Sequence, residues 1–243
     1  MSNPVVKIAA SPEETAHEMA VFLAAEINSS PDKYFIALSG GSTPKILYKI
    51  LAQEFKNSVE WHKAHFFVGD DRLVPVSSSE SNYGEAKRLL FDNISVPLEN
   101  IHPVDGLIPP EIEAERYSEK INELVPMEHG LPCFDLMLLG LGEDGHTASI
   151  FPNRLDLLSS DKNYGPAWHP ETNQPRVTVT GKVINNSRKI IFLVTGRSKS
   201  KIVDEILNKK GDFLKYPAAH IEPMTGQVFW FLDNSAAKKI RKD

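Results

Sequence analysis

His146 is the residue of this sequence best placed to do chemistry. It closes FDLMLLGLGEDGH, residues 134–146, where an apolar run gives way to a glycine-rich, acidic turn. A neutral imidazole at a strand end can take a proton from a reacting group, and Asp144, two residues earlier, can hold the ring. The chain has eight histidines, and the others have no comparable turn around them. His62 and His65 have a metal-like spacing of three, but His65 begins an apolar run of strand type. No metal site is read there.

Three further turns could serve an anion. LSGGSTP, residues 38–44, sets Gly40, Gly41, Ser42 and Thr43 before a helix, with Thr43 as its cap and Pro44 in its first turn. Unpaired N–H groups and the helix dipole there suit a phosphate; a plain tight turn fits the same residues. GDDRLVP holds Asp70, Asp71 and Arg72. Arg72 can bind an anion while the carboxylates hold hydroxyls, or the turn is a helix cap with a surface ion pair. VTGRSKSK places Lys199 in a helix's first turn, where a cation is disfavoured unless an anion offsets the dipole. Arg176, in PRVTVT, begins a short alternating segment from which it reaches the same anion or stands solvated.

These turns follow strands in an alternating pattern. YFIALS (34–39), HFFVGD (65–70), FDLMLLG (134–140), KIIFLV (189–194) and QVFWFLD (227–233) read as strands, and most are apolar on both faces. Such runs belong in a parallel sheet covered on both sides. Helices are predicted at 11–27, with Ser11, Pro12 and Glu14 as its start signal, and at 44–55, 82–94, 111–125, 198–207 and 234–242. The fold class is α/β with a mainly parallel sheet, as one domain over residues 1–243. Ligands of such sheets bind beyond the carboxyl ends of the strands. That rule gathers all four turns into one site. Residues 152–175 read as a long excursion, either plain surface or a lid.

The net charge of −5 argues against a nucleic-acid or anionic-membrane partner, which needs a broad basic surface. The only cysteine is Cys133, so no disulfide forms within the chain, and no signal peptide or membrane span is seen; the cytosol is expected. Cys133 reads as a small core residue. Monomer and homodimer both remain open. No G-x-G-x-x-G follows the first strand, which argues against a Rossmann dehydrogenase.

LSGGSTP, GDDRLVP, ESNYGEA, FDLMLLGLGEDGHTASIFP, RVT, VTGRSK and YPAAHI stand in the order that resembles the 6-phosphogluconolactonases, within a group that includes glucosamine-6-phosphate deaminases. The resemblance runs from about residue 30 to the C-terminus. It implies a Rossmann-like α/β/α sandwich and the hydrolysis of 6-phospho-D-glucono-1,5-lactone, without a cofactor or metal. It makes His146 the base that activates water, beside Asp144. It sets Arg72, Arg176 and Lys199 around the sugar phosphate, against the loop from Gly40 to Thr43, and leaves Asp70 for substrate. The family's usual DER triplet is DDR here, which leaves Asp71 without an assigned role. Deaminases carry an acid shortly after their histidine; here SIFPNR follows, with none. A deaminase and a non-catalytic sugar-phosphate sensor are the alternatives.

Overall fold

The computed structural model describes residues 3–240. Its centre is a seven-stranded, wholly parallel sheet. In chain order the strands are β1 (Val5–Ala9), β2 (Tyr34–Leu38), β3 (Ala64–Val68), β5 (Ile101–His102), β8 (Leu136–Leu139), β11 (Lys189–Val194) and β12 (Gln227–Asp233). They lie side by side as β1-β12-β11-β8-β2-β3-β5. A second, antiparallel sheet joins β4 (Asp70–Arg72), β10 (Pro175–Val179) and β9 (Tyr164–Trp168), with β10 in the middle. A small hairpin pairs β6 (Met127–Glu128) with β7 (Leu131–Pro132). The helices are α1 (Pro12–Ser29), α2 (Ser42–Glu54), α3 (Asn82–Leu89), α4 (Pro110–Leu124), α5 (Asp156–Ser159), α6 (Gly181–Asn185) and α7 (Ser200–Leu207).

Strand alternation divides the core in two. Tyr34, Ile36 and Leu38 of β2, with Leu136 and Leu138 of β8, pack beneath Met19 and Leu23 of α1 and Leu47 and Leu51 of α2. Phe35 and Ala37, with Met137 and Leu139, face the other way, toward Tyr117 and Ile121 of α4 and Val203 of α7. Both faces of the sheet are therefore buried, which is why its strands are continuous apolar runs. The sheet is the doubly covered parallel one that the alternation predicts, and the architecture is the α/β/α sandwich that the resemblance implies.

Local signals set several boundaries. Ser11 caps α1, its side chain accepting from the Glu14 N–H at 3.2 Å, and Glu14 reaches back to the Ala10 N–H at 3.0 Å. An N-cap of this kind is worth about 1 kcal/mol. Cys133 is a buried core residue whose thiol is pushed up to about 11, chiefly by burial.

Four expectations need correction. Thr43 does not cap α2: the cap position is Gly41, with no side-chain bond, and Thr43 lies inside the first turn. The predicted strand 65–70 stops at Val68, and Asp70 starts the short strand of the second sheet after Gly69. Residues 152–175 are more regular than the long excursion expected, because they contain α5, all of β9 and the first residue of β10. The closing helix is not formed: residues 234–240 are turns, held by the Asp233 carboxylate and carbonyl, and the rest of that span lies outside the described residues.

Candidate active site

The carboxyl ends of β2, β8 and β11 meet the small antiparallel sheet around a cleft of about 260 Å³. Gly40, Gly41, Ser42, Thr43, Asp70, Arg72, His146, Arg176 and Lys199 all line it. Asp144 stands behind His146. The sequence scatters these residues over 160 positions, and the parallel sheet brings them to one edge.

The Asp144 carboxylate lies 2.6 Å from His146 Nδ1 and accepts the His146 backbone N–H at 3.1 Å. Burial works to raise the Asp144 pKa, but the hydrogen bond and charge of His146 outweigh it, and the carboxyl sits below its ordinary range. An ionised partner at Nδ1 holds the ring proton there and leaves the lone pair on Nε2. The His146 ring also rests against Phe151, with centroids 4.8 Å apart.

The glycines around His146 have steric reasons. A Cβ on Gly142 would stand 2.1 Å from His146 Nδ1, so only glycine leaves room for the imidazole. Gly145 takes a φ of 83°, a left-handed conformation that glycine adopts at little cost. Ala148 takes a φ of 48° without that licence, so the turn stores strain beside the cleft. The hydroxyls that follow His146 tie the turn down. Thr147 donates to the Gly140 carbonyl at 2.9 Å. Ser149 donates to Asp70 Oδ2 at 2.6 Å and accepts from Arg176 Nη1 at 3.3 Å.

The three cations are set at cost. In the β4–β10 pairing Arg176 stands directly opposite Arg72. Paired residues leave a sheet on the same face, and like charges so placed repel. Both Nε atoms are buried without a hydrogen-bond partner among the described residues. Burial pushes the Arg176 guanidinium below its usual range, with Asp70 pulling the other way. Lys199 is likewise lowered, first by burial, against Glu143 and Asp144. Among the described residues, its Nζ has one ion-pair partner, Glu143, at 4.0 Å. The first turn of α2, lacking a side-chain cap, opens on the same cleft. Two opposed arginines, a desolvated lysine and an uncapped helix start are an arrangement whose chemistry suits a multiply charged anion.

Asp71 is not part of it. Strand alternation sends Asp70 and Arg72 to the cleft and Asp71 to the opposite side. There it accepts the N–H groups of Asn82 and Tyr83, at 2.6 and 2.9 Å, and so caps α3. Two cleft residues escaped the sequence reading. Asn82 donates to the Asp70 carbonyl at 2.8 Å, and a Cβ on Gly40 would meet its Oδ1 at 1.9 Å. Thr195 bonds Thr43 through their hydroxyls at 2.8 Å, joining the loops after β2 and β11. Their signal was weak but present, since both lie inside motifs noted above. Among the described residues no cluster of three or more His, Cys, Asp or Glu side chains is placed to hold a metal ion. None of their helices is long and apolar enough to cross a membrane.

A family model described as glucosamine-6-phosphate isomerases/6-phosphogluconolactonase matches residues 10–230. The chain belongs to that family. A 6-phosphogluconolactonase of Haemophilus influenzae is 44% identical over 84% of this chain and 87% of its own. The human 6-phosphogluconolactonase is 33% identical, over 86% and 81%. The solved structure of 6-phosphogluconolactonase from Trypanosoma brucei superposes with a TM-score of 0.88 at 31% identity, over 99% of this chain and 100% of that one. A monomeric glucosamine-6-phosphate deaminase superposes nearly as well, with a TM-score of 0.82 over 97% and 99%, but at 20% identity it shares the fold alone.

Proposed function

We propose that this chain hydrolyses 6-phospho-D-glucono-1,5-lactone to 6-phosphogluconate. The observation that carries the reading is a histidine held at Nδ1 by a carboxylate, in the same cleft as Arg72, Arg176, Lys199 and the open end of α2. A lactone needs an activated water, a held substrate and a route for one proton. His146 Nε2 takes the proton from water as its oxygen attacks C1. The tetrahedral intermediate collapses with expulsion of the ring oxygen, and the imidazolium returns the proton to it. Asp144 stabilises the imidazolium in between. The cations and the residues from Gly40 to Thr43 hold the phosphate at the far end of the sugar, while Asp70 takes substrate hydroxyls. No cofactor is required by these steps, and the lone, buried Cys133 accords with work in the cytosol.

The lactonases among the relatives support this reading over a deaminase, as does the stretch from Thr147 to Arg154, which has no carboxylate for ring opening. The test is to generate the lactone enzymatically from glucose 6-phosphate and follow its disappearance with and without the protein. Hydrolysis well above the spontaneous rate is expected. No acceleration, with deamination of an amino-sugar phosphate instead, would overturn it.

A further inference from the structure

Gly145 and His146 are braced from a part of the chain more than seventy residues away. The Ala218 N–H donates to the Gly145 carbonyl at 3.1 Å. Tyr216 packs closely on Gly145; a Cβ there would meet Tyr216 Cβ, Cγ and Cδ1, each at 2.5 Å. Contact this close leaves the turn no freedom on that side. The ring is itself anchored, because the Tyr216 hydroxyl donates to Glu205 Oε2 at 2.6 Å. Glu205 belongs to α7, which directly follows Lys199, and its other oxygen faces Lys201 at 3.7 Å.

We infer that Tyr216 is a positioning residue for His146: its ring fixes Gly145 in the left-handed conformation that aims the imidazole, and Glu205 fixes the ring. The chain of contacts runs from α7 through Glu205, Tyr216 and Gly145 to the base. It ties the helix that directly follows Lys199 to the turn that carries His146, so the two ends of the cleft keep their spacing. Tyr216 is not among the residues that line the cleft, and these contacts reach His146 through the backbone of Gly145. The inference rests on the reading of His146 as the base.

Tyr216→Phe keeps the ring and cuts its tie to Glu205; Tyr216→Ala removes the brace. Both variants and the wild type are compared in lactone hydrolysis, thermal unfolding and proton NMR of the imidazole Nδ1–H shared with Asp144. A small misplacement of a catalytic group costs roughly tenfold to a hundredfold, and that loss is expected in kcat for Tyr216→Ala, with KM within about twofold. Tyr216→Phe should fall between it and the wild type, and the Nδ1–H signal should weaken in the same order. Tyr216→Phe alters only one partly exposed hydroxyl, so it reports even where Tyr216→Ala fails to fold. Wild-type kcat and an unchanged Nδ1–H signal in Tyr216→Phe and Tyr216→Ala would overturn the inference, as would a loss confined to KM. If the wild type hydrolysed no lactone, the proposed function would fail. The NMR signal would still decide whether Tyr216 seats the imidazole.

Discussion

His146 and Asp144 make a pair in which each atom has a separate task. In the proposed mechanism the 2.6 Å contact at Nδ1 sets the tautomer, and Nε2 accepts the proton of water. His146→Ala removes the acceptor while leaving the core intact, since the side chain is 30% exposed. General-base catalysis is typically worth about 10²–10⁴-fold, so kcat should fall by that factor once spontaneous opening is subtracted. Asp144→Asn tests the other atom. An amide that turns its NH₂ toward Nδ1 pushes the ring proton onto Nε2, where it blocks proton acceptance. kcat should then drop on the order of 10²-fold with KM little changed. Because the Asp144 carboxyl lies below its ordinary range, it stays ionised throughout the neutral region. Its titration therefore adds no step to the neutral pH profile. Near wild-type kcat in either variant would remove the pair from the mechanism.

At the level of elements, the small sheet of β4, β9 and β10 does what the large parallel sheet cannot. Its antiparallel register sets Arg176 against Arg72 and turns both toward the end of β8. On the proposed reading, a phosphate bound between them relieves their repulsion. A hydrogen bond to a charged group contributes roughly 1.5–3 kcal/mol, so Arg176→Ala and Lys199→Ala should each cost about tenfold to a hundredfold in kcat/KM on the phosphorylated lactone. The lactone without phosphate should be a poor substrate for the wild type and should lose much less in these variants. Equal proportional losses on both lactones would show that the cations do not read phosphate. The sequence shows this sheet poorly, for a physical reason. β4 is three residues long, and β9, YGPAW, has neither alternation nor a strong β-former run. β4 exists because β10 pairs with it from far along the chain, and such pairing leaves no local trace, while β9 is held by β10 across the short connection 169–174 in spite of its own composition. The parallel strands are the opposite case: burial on both faces requires continuous apolar runs, and those are visible in the letters. The turns were legible because close backbone approach requires glycine. Thr43 was misread because its hydroxyl finds Thr195 rather than an N–H of its own helix. At residues 234–240 an alanine- and lysine-rich composition favours a helix, but the chain only turns back over Asp233.

Across the whole molecule, buried titratable groups outside the cleft oppose one another in their response to acid. His102 is 5% exposed, stacks on Phe67 with centroids 4.3 Å apart, and leaves Nε2 buried without a partner. Burial, then the charges of Lys120 and His65, push it down from 6.5 to about 4. The unfolded chain thus binds this proton at higher pH than the folded one. The stability His102 contributes is complete above about 6.5 and is lost as pH falls toward 4. Asp71 acts in the other direction. Burial raises its carboxyl from 3.8 to about 6 against the N–H groups of Tyr83, Asn82 and Arg72. The folded chain therefore binds this proton first, and stability rises as pH falls through the same window. Two opposed one-proton steps flatten the profile between pH 4 and 6.5. His102→Phe removes one of them without removing a bond that the side chain makes, because it is the His102 carbonyl that accepts from Tyr117. Stability at pH 7 should be unchanged or higher, since an orphaned buried nitrogen is replaced by carbon. Below pH 6.5 the variant should gain stability on acidification relative to the wild type, with a slope difference of at most about 1.4 kcal/mol per pH unit, the value for one proton. Denaturant unfolding at half-unit steps from pH 7 to pH 4 measures it. Parallel profiles for the variant and the wild type would show that the folded protein protonates His102 as readily as the unfolded chain does.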